Sequence, residues 1–222
     1  MTKVMIAGGG IGGISAAISL LQAGFDVEVY EQAGDLMEIG AGIQLSANAM
    51  HVLFSHGLRD QLAKFWVKPS AYVFRLHDSG EIVAKIPLAE EHERQHRAPY
   101  CQFHRADLLA VMVSRLFELK PNAVRLNHRV VGYDEMTDGV NVLFEGGSSA
   151  VGDVLVGADG VKSRVRSQLL GAAKPIYTGD CAWRLIVPSE RIKSRAEHEM
   201  RWQHGWGLAS MQCRIICAAD GS

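Results

Sequence analysis

The chain has 222 residues, 48% of them apolar, and a formal net charge of −1. That content fills a real hydrophobic core, and a near-neutral balance with no long block of like charge lacks the footprint of a nucleic-acid or anionic-membrane binder. No stretch reaches the roughly 18 apolar residues of a membrane span and no signal peptide fits, so the expected partner is a small molecule and the expected compartment the cytoplasm.

The first element is a strand over Val4 to Ala7, an apolar run without helical period, as in a strand buried on both faces of a parallel sheet. It leads into five glycines among the six residues from Gly8 to Gly13. Gly8, Gly10 and Gly13 satisfy GxGxxG. The first allows a tight turn, the second lets the backbone approach a pyrophosphate, and the third lets the following helix pack close on the strand. Gly12 lies inside the same loop. The apolar, small-residue stretch from Ile14 to Ala23 predicts a helix ended by Gly24, whose N-terminal amides face the phosphates. The segment "FDVEVY" alternates as a second strand, and Glu31 stands at its end, about 18 residues beyond Gly13, with Gln32 next. An acid there accepts hydrogen bonds from both ribose hydroxyls of a dinucleotide and repels a 2′-phosphate. The unit therefore predicts the adenosine of FAD or of NAD as resident ligand.

Beyond Glu31 the pattern departs from a second strand–helix unit of an NAD dehydrogenase. A glycine-rich loop at Gly40 to Gly42 precedes a helix capped at Ser46, with Met50, Leu53 and Phe54 on its apolar face. Residues 71–87 predict a hairpin turning at Asp78, Ser79 and Gly80. "EEHERQH" reads as a solvated loop or short helix. Tyr100 to Phe103 predicts a strand, and Ala106 to Leu119 an amphipathic helix with Leu109, Val113, Leu116 and Phe117 inward. Arg105 at their junction has two readings, a helix-end surface charge or a guanidinium reaching an anionic ligand. Strands follow around Thr137 to Gly139, then a buried strand at Val154 to Val156, a turn at Asp159 and Gly160, and a helix from Val161 whose Lys162, Arg164 and Arg166 read as solvated. Cys101, Cys181, Cys213 and Cys217 form no CxxC pair and read as reduced core residues. His51, His56 and His104 read as packing or surface histidines.

Taken together, "IAGGGIGG", "EQAGDLMEIGAGIQLSANAM", "HRADLL" and "VLVGADGVKSRVR" resemble the class A flavoprotein aromatic hydroxylases, which include salicylate, 3-hydroxybenzoate and 6-hydroxynicotinate monooxygenases. The resemblance spans residue 3 to about 187. It implies an α/β fold, a Rossmann-like FAD-binding domain of the p-hydroxybenzoate hydroxylase type with part of a β-sheet substrate domain. On that basis residues 1–70 and 101–175 form the FAD-binding domain, and 71–100 with 176–222 a partial substrate domain. It also implies that Gly8, Gly10, Gly12, Gly13, Glu31 and Gln32 hold the ADP half of FAD, and that Arg105 binds FAD. Val130 matches a position whose main chain lies near the adenine, and Asp159 with Gly160 a motif serving both FAD and transient NAD(P)H. Trp183 and Arg184 match an Ala-Trp-Arg entry into the substrate domain. The implied reaction is reduction of FAD by NAD(P)H, activation of O2, and transfer of one oxygen atom to an electron-rich, phenolic-acid-like ring. Gln44 occupies a loop where the 6-hydroxynicotinate enzymes carry a histidine, which points away from that substrate. A later Gly-Asp motif of the family has no counterpart, and the text after Arg195 departs from the expected substrate-domain strands. These departures predict a truncated or frameshifted reading frame, and they raise the alternative of a catalytically silent flavin-binding module. A flavin amine oxidase or reductase sharing the opening motif is disfavoured by "HRADLL" and "GADGVKSRVR".

Overall fold

A computed structural model describes residues 1–36, 42–76 and 78–179, together with the backbone of 201–206 and 213–214. The chain divides into two compact units, Met1–Glu38 with Leu109–Thr178, and Ile39–Leu108 with Gly179–Ser222. Residues 39–70 and 101–108 thus fall with the second unit, whereas the sequence-based boundaries grouped them with the first.

In the first unit the opening apolar run forms β1 (Lys3–Ala7), the glycine-rich stretch turns into α1 (Ile11–Gln22), and β2 (Asp26–Tyr30) returns parallel to β1. The helix begins three residues earlier than expected, because glycines 12 and 13 themselves adopt helical backbone after the turn. It ends as anticipated at Gly24, whose φ of +87° continues the chain where a Cβ would strain it. α5 (Arg105–Leu119) starts in the second unit and continues in the first, followed by β7 (Val124–Arg125), β8 (Val130–Met136), β9 (Gly139–Phe144), β10 (Ser149–Gly152), β11 (Val154–Gly157) and α6 (Arg164–Leu170). The parallel sheet runs β11-β1-β2-β7, and β8, β9 and β10 form an antiparallel meander. Side chains alternate across β1. Met5 and Ala7 join Tyr30, Val130, Val140, Val142, Phe144 and Val165 in one buried cluster, while α1 lies against β1 and β2 through buried Ile14, Ala17 and Ile18.

Three sequence expectations in this unit require correction. Val154 is 44% exposed, since β11 is an outer strand of the four-stranded sheet and is not covered on both faces. Of the α5 residues expected inward, Leu109 and Leu116 are buried, Val113 is only half-buried and Phe117 is exposed, because the buried stripe runs through 108, 109, 112 and 116 and leaves 117 off its edge. α6 starts at Arg164 with Ser163 as its cap, not at Val161, so Lys162 precedes the helix. Arg164 and Arg166 are exposed, as solvated residues should be.

In the second unit β3 (Gly42–Leu45) pairs antiparallel with β6 (Cys101–His104). Gln44 therefore lies in a strand, opposite Gln102, and not in a loop. α2 (Ala47–Ser55) follows Ser46 and buries Met50 and Leu53. α3 (Arg59–Leu62) leads to the expected hairpin, β4 (Ala71–Leu76) with β5 (Ile82–Pro87), and α4 (Glu90–His96) has no buried residue. Within the text after Arg195, β12 (Arg201–Trp206) runs parallel to β4 and pairs with β13 (Cys213–Arg214). That segment does supply a strand, contrary to the expectation. The loop residues Gly40 and Ala41, the Ala-Trp-Arg motif at Trp183 and Arg184, and Cys181 and Cys217 lie outside the described residues. No helix among the described residues is long and apolar enough to cross a membrane.

Candidate functional site

The carboxyl end of β1 and the turn that follows it build the site. Gly8 has a φ of +106°, and a Cβ there would overlap the Ala158 carbonyl oxygen. Its N–H donates to the Tyr30 carbonyl at 2.8 Å, and the Ala158 N–H donates to the Ala7 carbonyl at 2.8 Å, so β2 and the end of β11 clamp the turn from both sides. Gly13 lies at the other end of the loop, and its Cβ would overlap the Gly8 carbonyl oxygen. These two glycines meet the demands of tight turn and close helix packing that their positions predict.

Gly10 and Gly12 differ. Among the described residues, and apart from the adjoining backbone, no atom lies within 4 Å of where a Cβ would stand at either, so each faces open space. Gly10 caps α1 in extended conformation, with no side chain accepting from the helix, and the first intrahelical donation is from the Ile14 N–H to the Gly10 carbonyl at 2.9 Å. The amides of the first turn are left for an external acceptor, and the helix dipole favours an anion there.

Beside this turn stands Glu31. Its Oε2 accepts the Gly9 N–H at 2.6 Å and its Oε1 accepts the Ala33 N–H at 2.9 Å. Its backbone is held as well, the N–H donating to Arg125 O at 2.9 Å and the carbonyl accepting from the His128 N–H at 2.8 Å. A carboxylate offers about four lone-pair positions, so two backbone donors leave acceptor capacity for two hydroxyls. Glu31 is thus turned onto the glycine loop, the orientation a ribose-binding acid requires. Gln32 is exposed next to it. Val130 opens β8 two residues after His128, with its side chain in the core and its backbone paired with Phe144.

Asp159 follows the Ala158 contact. Its carboxylate accepts from Ser163 Oγ at 2.5 Å, Arg164 N at 2.6 Å and Val165 N at 3.2 Å, and Ser163 Oγ accepts from Arg166 N at 2.9 Å. Within the chain Asp159 therefore holds the Ser163 cap and accepts from the first two amides of α6, with Gly160 at a φ of +77° making the reversal. Nine of the ten residues singled out from sequence fall in the first unit. Arg105 falls in the second, as the half-buried first residue of α5. Sequence reading passed over Gly9, Ala158 and Ser163. Gly9 was visible as an extra glycine in the run, but the part played by Ala158 arises from a contact about 150 residues away. Among the histidines, His56 is fully buried, while His51 Nε2 lies 2.9 Å from the His96 carbonyl and His104 Nδ1 lies 3.2 Å from Asp107.

A β–α–β unit with a glycine cradle at the helix N-terminus and an acid at the end of the second strand defines a dinucleotide-binding fold. The chain belongs to the FAD binding domain family, matched over residues 1–174. It is similar to 3-hydroxybenzoate 6-hydroxylase 1 of Aquipseudomonas alcaligenes, 34% identical over 96% of this chain and 53% of that protein, a span that takes in most of the text after Arg195. It is also similar to 6-hydroxynicotinate 3-monooxygenase of Bordetella bronchiseptica, 36% identical over 84% of this chain and 48% of that protein. Among solved structures, HpxO of Klebsiella pneumoniae complexed with FAD and uric acid superposes with a TM-score of 0.67, at 34% identity over 78% of this chain and 42% of the other. The chain spans about half the length of the curated relatives it matches.

Proposed function

We propose that this chain carries the FAD-binding part of a cytoplasmic monooxygenase that hydroxylates an aromatic, phenolic-acid-like ring at the expense of NAD(P)H and O2. The observation that carries the reading is the open space at Gly10 and Gly12 in front of uncapped helix amides, flanked by the Glu31 carboxylate. The relatives support the reaction class, since their names are those of aromatic hydroxylases and monooxygenases.

In this reading the amides at the start of α1 bind the pyrophosphate, with Gly10 and Gly12 letting the backbone approach and Gly8 and Gly13 fixing the loop. Glu31 accepts hydrogen bonds from the adenosine ribose and disfavours a 2′-phosphate, Gln32 lies beside it, and the Val130 backbone borders the adenine. Asp159 and Gly160 hold the β11–α6 turn against Gly8, and Arg105 is assigned to FAD binding by the family resemblance of its "HRADLL" segment. The redox chemistry, passage of reducing equivalents from NAD(P)H to O2 with one oxygen atom going to the ring, is supplied by the flavin when bound.

The absorbance spectrum of the purified protein tests the first step: oxidised-flavin bands that co-elute with the protein are expected. Stopped-flow mixing with NADH or NADPH tests the second, with flavin bleaching accelerated by a phenolic acid as the expected result. A colourless protein that takes up no added FAD would remove the basis of the reading.

A further inference from the structure

We propose that α4 is an acid-released latch on the second unit, held down while the adjacent His92 and His96 rings are neutral and let go when they take up protons. The helix is built to open. It is seven residues long, has no buried residue, and begins at Ala89 without a side-chain cap. It ends at Arg97, a non-glycine residue in left-handed backbone with a φ of +57°. A short helix with no buried face opens locally before the fold as a whole. Two ties hold its ends: Lys68 Nζ meets Glu93 Oε2 at 3.0 Å, and His51 Nε2 of α2 lies 2.9 Å from the His96 carbonyl. A third anchor is the His92 ring, 4.5 Å from the His96 ring and 6.1 Å from that of Tyr100.

His92 Nδ1 is shut off from solvent and has no hydrogen-bond partner among the described residues. A neutral imidazole tolerates this, since one of its nitrogens carries no proton, whereas an imidazolium must donate from both. Protonation therefore leaves a buried N–H without an acceptor and sets one positive ring against another. A main-chain hydrogen bond to Ala98 and the Glu93 carboxylate work the other way, but Lys68 already meets the charge of Glu93. Burial first and His96 second prevail, and the His92 imidazole is held below its ordinary 6.5. The other charged groups of the segment, Glu90, Glu91, Arg94 and Arg97, are exposed, and Glu91 and Arg94 pair with each other. Beneath Lys68 and Glu93, Cys101 is a neutral thiol and adds no charge. Because the folded value of His92 is depressed, docking of α4 is complete above about 6.5 and weakens as the pH falls below it.

Hydrogen exchange on the whole chain, read by mass spectrometry and corrected for the intrinsic effect of pH, tests the latch. In wild type, opening at the 90–97 amides is expected to rise by about tenfold between about pH 7 and about pH 5, within the limit of about tenfold per pH unit for one proton taken up on release. β1 and β2 are expected to stay protected. His92→Phe, which keeps an aromatic ring and takes up no proton, is expected to hold the rise below about twofold. His96→Gln, which removes the second positive ring, is expected to give a rise between those two. Flat exchange at 90–97 in wild type, a His92→Phe protein that opens as wild type does, or a rise that spreads equally through β1 and β2, overturns the proposal. Should His92→Phe fail to fold by circular dichroism, His96→Gln carries the comparison, and a rise equal to that of wild type then overturns it.

Discussion

Glu28, in the middle of β2, shows how a single charged residue is held in this fold. Burial alone would raise its carboxyl, but hydrogen bonds from Lys3, Tyr30 and Arg125 outweigh that and hold it at about 2, below its ordinary 4.5. Lys3 Nζ and the Tyr30 hydroxyl each lie 2.8 Å from Oε2, and an Arg125 nitrogen lies 3.3 Å from Oε1. Because the folded value is depressed, the stabilisation is present above about 4.5 and fades as the pH falls toward 2. Glu28→Gln is expected to lower stability by about 2 kcal/mol near neutrality and to flatten the pH dependence of urea unfolding in that acidic window. Cys101 is displaced in the opposite sense: burial raises its thiol to about 12, with Lys68 opposing and Glu93 adding to the effect. Its thiolate is scarce at neutral pH and its sulfur inaccessible. Iodoacetamide followed by peptide mass mapping is expected to leave Cys101 unmodified in the folded protein and to label it in urea.

Among the elements, α6 depends most visibly on one side chain. Seven residues long, it is started by the Asp159 carboxylate and the Ser163 hydroxyl together. Asp159→Ala is expected to cost about 1–2 kcal/mol and to speed hydrogen exchange at the Arg164 and Val165 amides while leaving β1 and β2 protected; Asp159→Asn, which keeps an acceptor, is expected to do less. The elements also show what could be read from the chain in advance. β1, α1, β2 and the β4–β5 hairpin were legible because each declares itself through local chemistry, an apolar run, small residues after glycines, alternation, and an Asp-Ser-Gly turn. The exposure of Val154 was not, since whether a strand is covered depends on its neighbours in the sheet, and β11 acquires its neighbour β1 from the far end of the sequence. The start of α6 was misplaced because Val161 looks helical, while the cap that begins the helix is settled by where Asp159 points. In the candidate site, the glycines and Glu31 could be named from spacing. Their clamping by Ala158 and the locking of Glu31 by Arg125 and His128 are long-range backbone contacts that no spacing records.

At the scale of the molecule, the first unit and the nucleotide are expected to stabilise each other. A ligand that binds only the folded form at about 100 times its Kd adds about 2.7 kcal/mol, so urea midpoints measured with FAD should rise by the corresponding amount, and Glu31→Gln should shrink the rise. One feature of the architecture also governs how the protein is made. β1 sits between β2 and β11, and the Lys3 N–H donates to an Asp153 carboxylate 150 residues ahead at 2.6 Å. A nascent chain therefore exposes Val4, Met5 and Ile6 on one flank until residues 154–157 have left the ribosome, and closure of so wide a span is slow. Refolding from denaturant should be limited by the arrival of β11 and not by formation of α1.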